Sequence, residues 1–359
     1  MSPATVSPLF DASRAAGAVP APEDSPDAGV AWHYGDPFGE QRAAQRSAVV
    51  VDRSHRGVLT LTGPDRLSWL HSLTSQYLTG LPDGSAVQDL NLDAQGRVVD
   101  HFWLSEVDGV AYVDTEGPRV ADLAAYLTRM VFWSDVQVAP RPDLTVLSVL
   151  GPDAARVTGL ELASGHAVAY GGGVARAGDG EVTLLVPRDE ILALWDRLIA
   201  DGARPAGSWA YEALRAAAAR PRLGVDTDEK TIPHEVGWIG SAVHLEKGCY
   251  RGQETVARVH NLGRPPRRLV LLHLDGSADT RPRTGDPVTA GGRVVGRVGT
   301  VVEHCDYGPV ALALLKRSVP DDAALEAGGA AAAVDADVTP AGGDGVAAGR
   351  AAVDRLRGR

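Results

Sequence analysis

The stretch KGCYRGQETVAR, residues 247–258, gathers the chemically capable side chains of this chain most densely. Cys249 stands between Gly248 and Tyr250, with Lys247 and Arg251 just outside. Nearby cations stabilise a thiolate and lower the pKa of the thiol, and glycines let another molecule approach the backbone closely. These residue types at this spacing describe the surroundings of a reactive thiol. They also admit a structural reading, in which Cys249 is a small buried hydrophobe on a strand entering a turn.

Beyond the second glycine come Gln253, Glu254 and Arg258, then Arg264, Arg267 and Arg268. Such a cluster suits a polyanion, either a phosphate chain or a polyglutamate tail; the alternative is a solvated charged loop. Asp100 lies near the end of DLNLDAQGRVVDHF, residues 89–102. There Gly96 supplies a turn and Val98-Val99 begin a strand, which places Asp100 in apolar surroundings. A carboxylate in such a place is costly unless it is paired or used; an outward-facing strand position is the competing reading. Cys305, in VVEHCDYG, ends a β run beside His304 and Asp306. One Cys and one His do not make a metal site, and a structural role is expected for it.

The two cysteines of the chain are too few for a disulfide scaffold or a four-thiolate cluster. Any thiol role is solitary or shared with a partner. The net charge of -11 argues against broad nucleic-acid affinity, which rests on clustered Lys and Arg neutralising phosphates. No apolar run approaches the roughly 18 residues that span a bilayer, and no basic-then-apolar leader opens the chain. The expectation is a cytoplasmic protein with no membrane partner and no direct nucleic-acid partner.

At 359 residues, two or three structural units are expected to position these groups. Residues 1–28 are rich in Ala, Pro, Ser and Asp and read as a disordered lead-in; 340–359, rich in Gly and Ala, read as a second flexible tail. Between them, Val58 to Leu61 reads as a strand, and Pro64 opens a helix with Leu67, Leu70 and Leu73 on one stripe. Glu116 to Val131 and a segment carrying Ile191, Leu194, Trp195 and Leu198 read as amphipathic helices, and Leu144 to Leu150 and Val182 to Val186 as strands. Ser208 to Arg220 reads as an Ala-rich helix capped by Ser208 and stopped by Pro221. After Pro265-Pro266, the runs Leu269 to Leu274, Val294 to Val302 and Val310 to Leu315 are β-type, separated by Gly, Pro and Asp. The fold class is therefore α+β: a mixed core over 29–265, followed by an all-β unit, a barrel, over 266–339.

The residues themselves carry a resemblance. KGCYRGQETVAR resembles the signature of the YgfZ family of folate-binding proteins, which maintain iron–sulfur enzymes. DRSHRG (52–57), LTGPDRLSWLHSLTSQ (61–76), YEALRAAAARPRLG (211–224) and IPHE (232–235) support it and resemble more distantly the aminomethyltransferase, or T-protein, of the glycine cleavage system. The resemblance implies a T-protein-like ring of three subdomains around a folate pocket, two of them interleaved α/β subdomains within 29–265 and the third the C-terminal β-barrel.

As a cofactor the resemblance implies tetrahydrofolate or a one-carbon derivative, and as partners iron–sulfur client proteins. By resemblance Asp100 matches the T-protein aspartate that works near the reactive folate nitrogens. Asp179, in ARAGDGEV, falls roughly where that family recognises the pterin with a glutamate. Arg215 is retained beside Leu214, whereas Ala217, Ala218 and Tyr211 depart from T-protein. Lys247, Cys249, Gln253 and Arg258 match the YgfZ signature, and Tyr250 stands within it. The implied catalytic set is Cys249, Lys247 and Asp100; the implied folate-binding set is Asp100, Asp179, Arg215, Tyr250, Gln253 and Arg258.

Three functions follow as expectations. The first is a folate-dependent accessory factor for assembly or repair of iron–sulfur proteins, acting on tRNA modification only indirectly. The second is a folate-dependent aminomethyl or one-carbon transferase built on Asp100. The third is a non-catalytic module that senses folate.

Overall fold

The computed structural model describes residues 6–10, 17–277 and 280–338. Where the sequence is most periodic, the elements lie as expected: strands Gly57–Thr62, Leu144–Leu150 and Glu181–Pro187, and helices Gly117–Arg129 and Ile191–Ala200. Pro118 lies in the first turn of Gly117–Arg129, where its missing N–H leaves no hydrogen bond unmade. Helix Arg66–Leu73 buries Trp69 and Leu70, while Leu67 and Leu73 are half-buried. None of the described helices is long and apolar enough to cross a membrane.

The Ala-rich helix departs from expectation at both ends. It spans Ser208–Ala217, and the Ser208 hydroxyl donates to the Ala31 carbonyl (3.2 Å) instead of capping. It stops before Pro221 because Ala219 turns left-handed at φ 47° and the Arg220 carbonyl accepts from the Arg215 side chain. The expected disordered lead-in is corrected over its described part. Leu9 is buried with Val50, Leu147, Trp195 and Leu198, and Val19–Pro20 pairs antiparallel with Ala31–His33. A few well-placed apolar side chains outweigh a polar average. The second expected tail, 340–359, lies outside the described residues.

The eleven strands from Val49–Asp52 to Arg204–Ala206 form one sheet, in which those two strands pair in parallel. By internal contacts the chain divides into two compact units. The first takes in Met1–His71, Leu78–Gln88 and Phe102–Tyr211; the second takes in Ser72–Tyr77, Asp89–His101 and Glu212–Arg359. The division therefore does not follow a linear boundary at 265. Two short segments from early in the chain join residues 212–265 and the C-terminal barrel.

That barrel is closed by six strands. Arg267–Leu274, Arg293–His304 and Gly308–Lys316 contain the three runs read from sequence; Pro287–Ala290, Leu325–Ala327 and Ala330–Val334 complete it. Strand Arg267–Leu274 is buried on both faces. Val270, Leu272 and Leu274 join the barrel core, while Leu269 and Leu271 join a second core with Trp238, Val243, Tyr250 and Val256. Side chains alternate across a strand, so two cores require an unbroken apolar run, and the sequence LVLL supplies it.

Candidate functional site

The loop 247–252 leads into helix Gln253–Leu262, and the second unit builds it from below. Lys247 is buried, and its ammonium donates to the carbonyls of Thr74 (2.5 Å) and Gln76 (2.8 Å). The same nitrogen stands 5.0 Å from the centre of the Tyr250 ring. Burial lowers the Lys247 pKa to about 8, although Asp89 opposes the shift. In this geometry Lys247 clamps the loop to the 72–77 segment. Gln253 adds a second tie, its amide donating to the Lys247 carbonyl at 3.2 Å.

The two glycines serve different ends. Gly252 has φ 84°, and a Cβ there would lie 2.5 Å from the Asp93 carbonyl oxygen and 2.8 Å from Gly96 Cα. Its close neighbour is thus the chain's own hairpin. A Cβ on Gly248 would meet nothing within 4 Å. Next to that open position Cys249 is exposed, which corrects the alternative that it is a buried hydrophobe. Flanked by a buried clamp and a locked turn, the thiol is presented outward.

Beneath the loop lies a carboxylate that the sequence reading missed. Asp89 is fully buried and accepts from the Thr74 hydroxyl (2.6 Å) and the Gln76 backbone N–H (2.8 Å). Burial raises its pKa to about 6, against these hydrogen bonds and the nearby Lys247 charge, which lower it. The Tyr250 hydroxyl is enclosed with no hydrogen-bond partner, and burial, then Asp89, push its pKa up to about 12.

The folded pKa of Asp89, about 6, lies above the ordinary 3.8, so the native chain keeps a proton that the unfolded chain releases. Stability from this group is fully present below pH 3.8 and is lost as pH rises through about 6. Asp89→Asn is expected to flatten the unfolding free energy between those values, read by urea titration. An unchanged slope would contradict the assignment.

Asp100 is 1% exposed, so the outward-facing reading is corrected. It accepts from the Asn91 amide at 2.9 Å. This bond orients the Asn91 side chain, since a carboxylate takes the N–H₂ end, and leaves Asn91 Oδ1 enclosed without a partner. Asp89 and Asn91 stand two residues apart in strand Ser85–Leu92 and share a face. Nearby in the chain, His101 stacks on Trp238 at 4.5 Å and 5°.

The remaining sequence candidates separate. Arg258 is exposed on helix Gln253–Leu262. Of the arginines that follow, Arg267 is held by Asp228 (2.5 Å) and Glu235 (2.7 Å), and Arg268 by Asp321, whereas Arg264, like Arg251 and Arg258, is exposed. Arg215 is buried, with Glu212 at 2.6 Å and Asp226 at 2.8 Å. Asp179 belongs to the first unit, at the tip of the hairpin between Gly173–Gly178 and Glu181–Pro187. With Gly180 it forms a two-residue turn, φ 53° and 78°, and it accepts from Gln88 at 3.2 Å. An Asp-Gly pair with both φ positive is the tight hairpin geometry, so the turn already accounts for this residue type.

Cys305, His304 and Asp306 bring their donor atoms within 4.8 Å of one another. His304 Nδ1 accepts from the backbone N–H groups of Asp306 (3.2 Å) and Tyr307 (3.3 Å), and Cys305 donates to Asp306 at 3.5 Å. These bonds wrap the turn on itself.

The chain is α+β and carries a closed six-strand β-barrel. The barrel matches the family model "CAF17, C-terminal beta-barrel domain" over residues 267–349. The crystal structure of glycine cleavage system aminomethyltransferase T from Bartonella henselae superposes with a TM-score of 0.82 at 20% identity, covering 93% of this chain and 97% of that one. An aminomethyltransferase of Bordetella petrii is 33% identical over 256 residues, 64% of this chain and 68% of that protein. A putative chloroplastic transferase of Arabidopsis thaliana is 28% identical over 71% of this chain, which spans 62% of that protein's length. The chain belongs to the aminomethyltransferase family.

Proposed function

We propose that this chain is a folate-dependent accessory factor of the YgfZ type, acting in the assembly or repair of iron–sulfur proteins. The observation that carries the reading is the exposed Cys249 thiol on a loop locked by Lys247 on one side and Gly252 on the other. A thiol held outward on a rigid support is suited to meet another molecule. The family likeness to aminomethyltransferases supports a folate ligand by relatedness.

The residues present fit a reduced pterin. Such a ring offers amino and ring N–H donors and a carbonyl acceptor, and the second unit holds an enclosed, unpartnered acceptor at Asn91 Oδ1 and an enclosed, unpartnered hydroxyl at Tyr250. Asp100 and Asn91 would take the N–H edge, and Tyr250 would donate from the loop side. Tetrahydrofolate, when bound, supplies amine nitrogens able to carry a one-carbon group. Lys247 keeps the loop fixed. Cys249 offers one soft sulfur ligand, and with two cysteines in the chain the other ligands of any cluster come from the client. An effect on tRNA modification would pass through iron–sulfur enzymes.

A strain lacking the protein, restored with wild type or Cys249→Ser at equal abundance, tests this. The specific activity of a four-iron dehydratase is expected to stay near the unrestored level with the serine form, with tetrahydrofolate affinity unchanged. Full restoration by Cys249→Ser would overturn the role of the thiol.

The buried Asp100–Asn91 pair favours a second reading, one-carbon transfer with Asp100 positioning or deprotonating the folate amine. Product from methylene-tetrahydrofolate and an amine donor, abolished by Asp100→Asn, would establish it. Absence of product across amine donors would remove it.

A further inference from the structure

The DRSHRG segment holds a buried cation that the proposed function does not use. Arg53 is 5% exposed, and its guanidinium carbon lies 3.8 Å from the centre of the Tyr211 ring. Among the described residues no carboxylate or carbonyl accepts from its side chain; Asp52, its neighbour in sequence, is engaged by the Ser54 amide (2.9 Å) and hydroxyl (2.5 Å). None of the side-chain nitrogens sealed from solvent without an acceptor belongs to Arg53, so the N–H edge of its fork keeps access.

The neighbouring charges do not neutralise it. Asp114, fully buried, is gripped by Arg176 and by Arg56 at 2.8 Å, and Arg56 also holds Glu116 at 2.8 Å. Burial alone would push the Asp114 carboxyl up, but the two guanidinium groups hold it below the ordinary carboxylate range. The Tyr211 ring supports Arg53. Arg56 and Arg176 thus hold Asp114 and Glu116, and among the described residues neither carboxylate forms an ion pair with Arg53. A largely buried cation with one face on an aromatic ring and its N–H edge open can exchange the water at that edge for an anionic acceptor.

We propose that Arg53 on its Tyr211 platform is an oxyanion-binding site in the first unit, shaped for a carboxylate. A guanidinium fork matches a carboxylate with two parallel N–H···O bonds, and the ring beneath fixes the plane of the fork. Two sources share this chemistry: the glutamate carboxylates of a folate, and a free small anion.

Titration of the full chain with para-aminobenzoyl-L-glutamate, its neutral analogue para-aminobenzamide, and inorganic phosphate separates them. The glutamate compound is expected to bind, and Arg53→Gln to weaken it about 10- to 100-fold, the range for losing charge-assisted hydrogen bonds. Arg53→Lys, which keeps the charge without the fork, is expected to fall between, with melting temperatures confirming that both variants fold. Phosphate binding wild type but not Arg53→Gln, with the glutamate compound no tighter than phosphate, assigns the site to a free anion. Failure of both anions to bind wild type at millimolar concentration overturns the proposal, as does equal binding by wild type and Arg53→Gln. Tetrahydrofolate titration keeps the two readings apart: tetrahydrofolate bound while both anions fail sinks this site alone. Anions bound while tetrahydrofolate fails sinks the folate part of the proposed function alone.

Discussion

Replacing Arg215 with alanine is expected to lower the stability of the chain by about 3–5 kcal/mol, the cost of removing one partner from a buried ionic group. All five of its N–H donors are committed. Nε and Nη2 reach Glu212 at 3.1 Å and 2.6 Å, and Nη1 reaches Asp226 at 2.8 Å. The Arg220 carbonyl and the Thr300 hydroxyl take the remaining two. One side chain therefore ties helix Ser208–Ala217, the turn around Asp226 and barrel strand Arg293–His304 together. Burial opposes its charge, yet Glu212 and Asp226 hold its pKa above the ordinary arginine value. Alanine would leave Glu212 with Arg222 at 3.3 Å as its cationic partner and strip the arginine from Asp226. Urea unfolding followed by circular dichroism reads the loss, and a change below about 1 kcal/mol would contradict it. Arginine with every donor committed has none left for a ligand, so the resemblance-based expectation that Arg215 binds folate gives way to a structural role in this geometry.

Gly252→Ala is expected to cost about 2–5 kcal/mol, combining left-handed strain with overpacking. The Cβ has nowhere to go, because the atom 2.5 Å away is a backbone oxygen and the next is Gly96 Cα. Relief requires the 93–97 hairpin to move away from the start of helix Gln253–Leu262. Gly248→Ala is the control, since its Cβ meets nothing within 4 Å. Thermal unfolding of the two variants separates them; equal melting temperatures would show that the contact between the two glycine-bearing turns is not tight.

Much of the candidate site was legible. Lys247, Cys249, Tyr250 and Gln253 announce themselves by spacing within one segment, and Asp100 by a carboxylate in an apolar strand. Asp89 and Asn91 were not legible as buried groups. In QDLNLD, polar and apolar residues alternate, which reads as a strand with one face in water. Both faces are in fact covered, and the polar one is satisfied by Thr74 and Gln76, a segment whose approach no local pattern encodes. The barrel shows the same limit. Ala330–Val334 is four alanines and a valine, poor β formers as a set, and it becomes a strand because Leu325–Ala327 and Arg267–Leu274 offer it ladder partners on both sides.

Neighbours along the chain suffice for the strands and helices with strong periodicity, the glycine turns, and the density of thiol, cation and amide in 247–258. The unbroken LVLL run is local too, and it suits a strand covered on both faces. Which charges are spent and which remain is settled by folding. Arg267 and Arg268 look in sequence like Arg53, yet carboxylates from distant segments claim both, while among the described residues Arg53 makes no ion pair and lies on the Tyr211 ring. Whether a buried cation is neutralised depends on groups brought within a few ångströms by folding, and that proximity is not written in the order of residues.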